Sequence, residues 1–175
     1  MLPVTETAMP GIGLSIPQVI EREAEPCLAF RTGGAMTDLP QFAPPYFGKL
    51  HEWMASHGVT AGTHFFRYHR FGNDGGVELD VGSTVNHPVE ASGGVIADEI
   101  PAGRYAFATY TGPYDRLHDA FCMLNGWIGA RSLKADAQHE PDGHRPACQL
   151  EIYRIGPMDR DDPAKFETDI LIKLV

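Results

Sequence analysis

The sequence predicts an α+β fold, in which duplicated strand-helix-strand-strand units form a mainly antiparallel sheet with two main helices and a central ligand cleft. Three observations predict it. The order strand, helix, strand, strand can be read twice along the chain; matching residues recur between the two readings; and short turns join the last two strands of the first unit, which makes them antiparallel. A length of 175 residues suits one domain with a sizeable core, without a disulfide or metal staple.

The elements follow in order. Residues 1–17, with three prolines and the Gly11-Ile12-Gly13 turn, read as a flexible lead. The domain should run over 18–175 as two repeats, about 18–90 and 93–175. The apolar stretch from Pro26 to Thr32, ended by Gly33-Gly34, is the first strand. Asp38 then occupies an N-cap position, with Pro40 in the first turn and Gln41 three residues on. In the helix that follows, Tyr46, Leu50 and Trp53, flanked by Phe42, Phe47 and Met54, form one stripe up to Gly58, with a delay or kink at Pro44-Pro45. HFFRYHRF (64–71), a glycine-rich turn (72–76) and VELDVGSTV (77–85) make a hairpin. Gly93-Gly94 marks a turn. The second unit comprises RYAFATYTG (104–112), a helix from about Tyr114 to Ser132, CQLEIYRIG (148–156) and ETDILIKLV (167–175). The polar segment 134–147 is expected to be a mobile surface loop.

Residue matches support the repeat. Ala29-Phe30 answers Ala106-Phe107, Leu50-x-x-Trp53 answers Leu124-x-x-Trp127, and His69-Arg70 parallels Tyr153-Arg154. The seam that such a duplication creates between its halves is a preferred place for a ligand.

Composition narrows the function. A net charge of −9 argues against a surface that tracks phosphates, so direct nucleic-acid binding is not expected. The three cysteines, Cys27, Cys122 and Cys148, have no C-x-x-C spacing and read as buried reduced thiols. The N-terminus lacks a basic region and a membrane-length apolar run, so a cytoplasmic location and no membrane partner are expected. The pairs His64/His69 and His139/His144 are five apart and His51/His57 six apart, spacings that fit neither a strand face nor a helix face, so no metal is expected. No phosphate loop, nucleophile elbow or dinucleotide fingerprint is present, and no cofactor is called for.

Glu151 interrupts an apolar strand, and alternation places it with Tyr153 on the face opposite Leu150 and Ile152. Such a carboxylate faces solvent, pairs with its counterpart Arg67, or serves a site, because burying it alone costs several kcal/mol or neutralises it. The aromatics Phe65, Phe66, Tyr68, Tyr105, Phe107, Tyr110 and Tyr153 lie on strands, where they fill the core or, converging on one carboxylate, suit a cationic aromatic ligand. Trp53 and Trp127 read as wedges at helix ends or as walls of a cleft.

The stretch IPAGRYAFATYTGPYD (100–115), a helix ending in a tryptophan, LEIYR with Glu151, and a terminal E-x-D-I strand together resemble the GyrI-like small-molecule-binding domain. That domain also forms the effector-binding half of AraC-type and multidrug-sensing regulators. The likeness covers about residues 18–175 and is strongest in the second repeat. It implies a cleft between the halves with a glutamate at its base that meets lipophilic, often cationic, ligands. Glu151 matches that glutamate, Tyr153 shares its strand face, and Trp127 borders the cleft; Tyr68, Phe66, Tyr110, Tyr46 and Trp53 are carried into the same ligand-binding set. About 17 residues precede the first strand, too few for a helix-turn-helix, so a stand-alone form is expected rather than a direct regulator. Three roles follow from the resemblance. The first is a binding protein that senses or sequesters a hydrophobic compound. The second is a hydrolase of cyclopropane-bearing DNA alkylators, with Glu151 as general base. The third is a gyrase inhibitor, with a protein as partner.

Overall fold

The computed structural model describes residues 13–175; most of the expected lead, including Gly11 and Ile12, lies outside the described residues. The chain runs β1 (Gly13–Leu14), β2 (Gln18–Arg22), β3 (Glu25–Ala35), α1 (Leu39–Phe42), α2 (Pro45–Ser56), β4 (His64–Gly72) and β5 (Gly76–Thr84). It continues through β6 (Ile96–Ile100), β7 (Gly103–Thr111), α3 (Leu117–Ala130), β8 (Ala137–Glu140), β9 (Gly143–Pro146), β10 (Gln149–Ile155) and β11 (Glu167–Lys173).

The sheet is antiparallel throughout, in the order β1-β7-β11-β10-β4-β5-β3-β6, with β2 beside β1 on the outer edge of β7. On one side of the central β10/β4 pair stand β11 and β7; on the other, β5 and β3 occupy the corresponding places. The first half runs β3, α1 and α2, β4, β5; the second runs β7, α3, β10, β11, with the extra strands β8 and β9 inserted after α3. Helix α2 packs on β3 and β5, and α3 packs on β7. The central strands β4 and β10 therefore form the strip between the two helices.

Several local expectations are corrected. The first strand does not stop at Gly33-Gly34 but pairs on to Ala35, because β5 offers a partner that far. The glycines permit the approach, since a Cβ on Gly33 would lie 2.8 Å from the Val77 carbonyl oxygen. Asp38 makes no capping bond. Pro40 at the second helical position has no N–H to offer it. The first helix is split at Pro44-Pro45 into α1 and α2. Segment 134–147 is no mobile loop: β8 and β9 form a hairpin, and β9 extends the sheet where β4 outruns β10, pairing His144 with Phe71. Edge strands β2 and β6 are additions, and Gly13, expected in a turn of the lead, pairs with Thr111.

One face of the sheet carries the helices. Leu50 and Met54 of α2 pack with Leu28 and Val85, while Leu117, Ala120, Phe121, Leu124 and Ile128 pack with Ala106, Ala108, Ile170 and Ile172. The other face is concave. Arg67 of β4 donates to Asp98 Oδ2 and to the Glu99 carbonyl of β6, both at 3.1 Å. In a flat sheet those strands would stand three spacings, about 14 Å, apart, so the sheet curls toward this face. Two-residue links at Glu23-Ala24 and Pro101-Ala102 draw its ends together. The curl encloses a second core of Phe65, Tyr105, Leu150, Ile152 and Leu171 with Cys27 and Cys148. Burial pushes the Cys27 thiol up to about 12 and raises Cys148 as well, so both are inert thiols. Cys122 departs from expectation and is exposed, because its position on α3 faces away from the sheet.

The packing of Phe65 yields a test. A Cβ on Gly82 would lie 2.4 Å from the Phe65 ring and 3.0 Å from the Leu28 carbonyl oxygen. Gly82→Ala should therefore force the ring aside and lower stability by about 1–3 kcal/mol in urea unfolding. An unchanged midpoint would contradict this packing.

Candidate functional site

The strip between the helices is built by register. Glu151 of β10 stands directly opposite Phe66 of β4, with Tyr68 and Tyr153 next along on the same face. Alternation sends Leu150 and Ile152 into the concave core, so Glu151 and Tyr153 face the helices. Glu151 is 6% exposed, and both of its carboxylate oxygens are used. The Tyr68 hydroxyl donates to Oε1 at 2.7 Å, and the Tyr153 hydroxyl donates to Oε2 at 2.6 Å. Burial raises the Glu151 carboxyl above the usual carboxylate range, and the two tyrosine bonds only partly offset it. Burial and the neighbouring carboxylate raise both phenols well above theirs. Arg67 does not pair with Glu151; it faces the concave side and Asp98.

Aromatic rings cover the carboxylate. Phe66 stacks on Phe47 of α2 at 5.5 Å, and Tyr153 meets both edge-on, at 5.3 and 6.0 Å. Tyr114, just before α3, meets Tyr153 at 5.5 Å and Phe166 at 5.1 Å and is 36% exposed. Tyr46 belongs to the same cluster, under the ammonium of Lys49.

Five of the expected site residues are thus gathered: Glu151, Tyr153, Tyr68, Phe66 and Tyr46. The other three stand elsewhere. Tyr110 packs under α3 with its hydroxyl donating to the Pro113 carbonyl. Trp127 lies against the α3 core, with Arg131 over its ring. Trp53 stacks on His57 and packs toward Val85 and Val95. Phe47 and Tyr114 are additions to the site. Phe47 lay within the apolar stripe of the first helix and Tyr114 within Gly-Pro-Tyr, but neither signal says that a ring reaches across the seam.

On the opposite face, Asp80 is 1% exposed and accepts from Arg31 Nε at 2.9 Å and Arg31 Nη2 at 3.1 Å, with His69 Nε2 at 2.6 Å. Burial pushes its carboxyl up, but the bonds from His69 and Arg31 outweigh that and hold it below its ordinary value. Two open concavities, of about 300 and 230 Å³, lie on this face; Arg31, His69 and Arg145 line the first, and Arg22, Phe65 and Ile152 the second. Among the described residues, no three His, Cys, Asp or Glu side chains are grouped to hold a metal ion, and no helix is long and apolar enough to cross a membrane.

The family of GyrI-like small molecule binding domains matches residues 15–175. No curated protein matches the chain. Among solved structures, the EcmrR C-terminal domain is similar with a TM-score of 0.71 and 20% identity, over 91% of this chain and 97% of that one. The longer EcmrR chain in its DNA complex gives a TM-score of 0.73 and 20% identity over 92% of this chain, which spans 57% of that protein. SAV2435 bound to tetraphenylphosphonium is similar with a TM-score of 0.58 and 10% identity, over 92% of this chain and 94% of that one. A hydrolase from Listeria innocua follows, with a TM-score of 0.61 and 12% identity, over 91% of each chain.

Proposed function

Since the chain belongs to the family of GyrI-like small-molecule-binding domains, we propose that it binds hydrophobic compounds that are cationic or planar and aromatic, with Glu151 at the floor of the site, and senses or sequesters them. One observation carries the reading. A carboxylate is held buried between the helices by two tyrosine hydroxyls, with aromatic rings above it and, among the described residues, no cation paired with it. A unit charge about 4 Å away would gain on the order of 4 kcal/mol at an effective dielectric near 20, against roughly 0.5–2 kcal/mol for each ring it faces. The charge supplies affinity and the rings supply shape.

The rings close over Glu151, so a ligand enters by displacing Phe47 and Tyr114 from Tyr153. Tyr114 is the freer of the two, being partly exposed. Titration with tetraphenylphosphonium, followed by calorimetry, tests the reading. Wild type is expected to bind and Glu151→Gln to lose most of the affinity; equal binding by both would sink it.

The raised Glu151 carboxyl also favours a second reading, as a general base for hydrolysis of a cyclopropane-bearing alkylator. Glu151 would take a proton from water, whose oxygen bonds to a ring carbon; the pair of the broken ring C–C bond passes into a carbonyl conjugated with the ring, and the resulting enolate takes up the proton that Glu151 gained. Turnover abolished in Glu151→Gln while the alkylator still binds would support it. Absence of turnover in wild type leaves binding as the function.

A further inference from the structure

Thr168 of β11 is 0% exposed, and its Oγ1 has no hydrogen-bond partner among the described residues. Register places it opposite Tyr153 on one side and Tyr110 on the other, on the face that carries the helices. Both neighbouring phenols donate elsewhere: Tyr153 to Glu151, and Tyr110 to the Pro113 carbonyl. Tyr114, which rests on Tyr153 and Phe166, stands over the same stretch of strand. A buried hydroxyl without a partner is a standing cost that valine, of the same shape and at least as suited to a strand, would not carry.

Resting on the reading of Glu151 above, we propose that Thr168 is a second polar contact of that site, and that the compounds bound there are lipophilic cations carrying a hydrogen-bonding oxygen or nitrogen. The register sets the spacing. Ile170 lies directly opposite Glu151, and Thr168 is the next residue of β11 on that face, a diagonal neighbour of Glu151 with Cα atoms about 7–8 Å apart. A ligand that places its charge over Glu151 brings a group one aromatic ring's length away to the Thr168 hydroxyl. A pure hydrocarbon cation fills the groove but leaves that hydroxyl unpaired.

The test is a matched pair, tetraphenylphosphonium and its para-hydroxylated derivative (4-hydroxyphenyl)triphenylphosphonium, titrated into wild type, Thr168→Val, Thr168→Ser and Glu151→Gln. The readout is the ratio of the two affinities within each protein. Wild type should prefer the hydroxylated cation about three- to tenfold, the worth of one hydrogen bond. Thr168→Ser should keep that preference, and in Thr168→Val the ratio should fall to about one. Without ligand, Thr168→Val should also melt above wild type, since it removes the orphaned hydroxyl. The inference is overturned if wild type shows no preference, if Thr168→Val retains it, or if unliganded Thr168→Val melts below wild type. Failure of both cations to bind, or binding unaffected by Glu151→Gln, overturns the Glu151 reading and this inference with it.

Discussion

Glu151→Gln should melt at a higher temperature than wild type at pH 8 and yet bind lipophilic cations about a hundredfold more weakly. Both effects come from one carboxylate held out of water. The glutamine carbonyl can accept from one tyrosine, and its amide can donate to the other hydroxyl oxygen, so both contacts are kept while the second phenol must turn its own O–H to another acceptor. What disappears is the cost of a buried charge, and replacing such a charge by a neutral group of equal size gains roughly 1–3 kcal/mol. The sign follows from linkage. The folded-state carboxyl titrates above its unfolded value, so the native state holds its proton more tightly. The stability this contributes is fully present below the unfolded value near pH 4.5 and is lost as pH rises through the folded one. The advantage of the glutamine variant should accordingly be absent at pH 4 and grow toward pH 8. Melting curves across that range check it, and a variant less stable than wild type at pH 8 would refute it. The affinity loss reflects the Coulomb gain of on the order of 4 kcal/mol, reduced by what the ligand gives up in leaving water.

Asp80→Asn should act in the opposite direction. Its carboxylate joins β5 to Arg31 of β3 and His69 of β4, and its bonds hold the carboxyl below its ordinary value against the burial that raises it. An asparagine cannot accept from all three donors, and Arg31 then loses its counter-charge. Arg31 is half exposed and can turn to water, so the expected loss is about 2–3 kcal/mol rather than the 3–5 of a fully buried pair. For a chain of this length that lowers Tm by roughly 5–10 °C. Here the depressed carboxyl contributes stability that is present above the unfolded value near pH 4 and is lost as pH falls through the folded one. Wild type and variant should therefore converge below pH 4 and differ fully at pH 7. A constant gap across that range would assign the effect to packing.

The alternation in Leu-Glu-Ile-Tyr was enough to place Glu151 and Tyr153 on one face, and the repeated order of elements was enough to anticipate the sheet. Which face they met was not legible, because Leu150 and Ile152 are buried as well, in the concave core. Two apolar faces give a strand no outward sign. The bond from Tyr68 depends on the pairing of β4 with β10, which joins the two halves and leaves no local signature in either strand. The hairpin of β8 and β9 and the edges β2 and β6 were missed for a simpler reason. More than half of their residues are polar, and the backbone bonds that order them are indifferent to side-chain type. Phe47 and Tyr114 reach the site only through the break at Pro44-Pro45 and the short turn before α3.

The central pair β4/β10 carries a kinetic consequence. Tyr68 and Glu151 are 83 positions apart, and every strand-to-strand bond across the middle of the sheet spans a comparable loop. Topologies dominated by such distant contacts fold in milliseconds to seconds rather than microseconds. Neither half of the chain contains both Tyr68 and Glu151, so under the proposed function a ligand could not act as a template early in folding and would only trap the finished molecule.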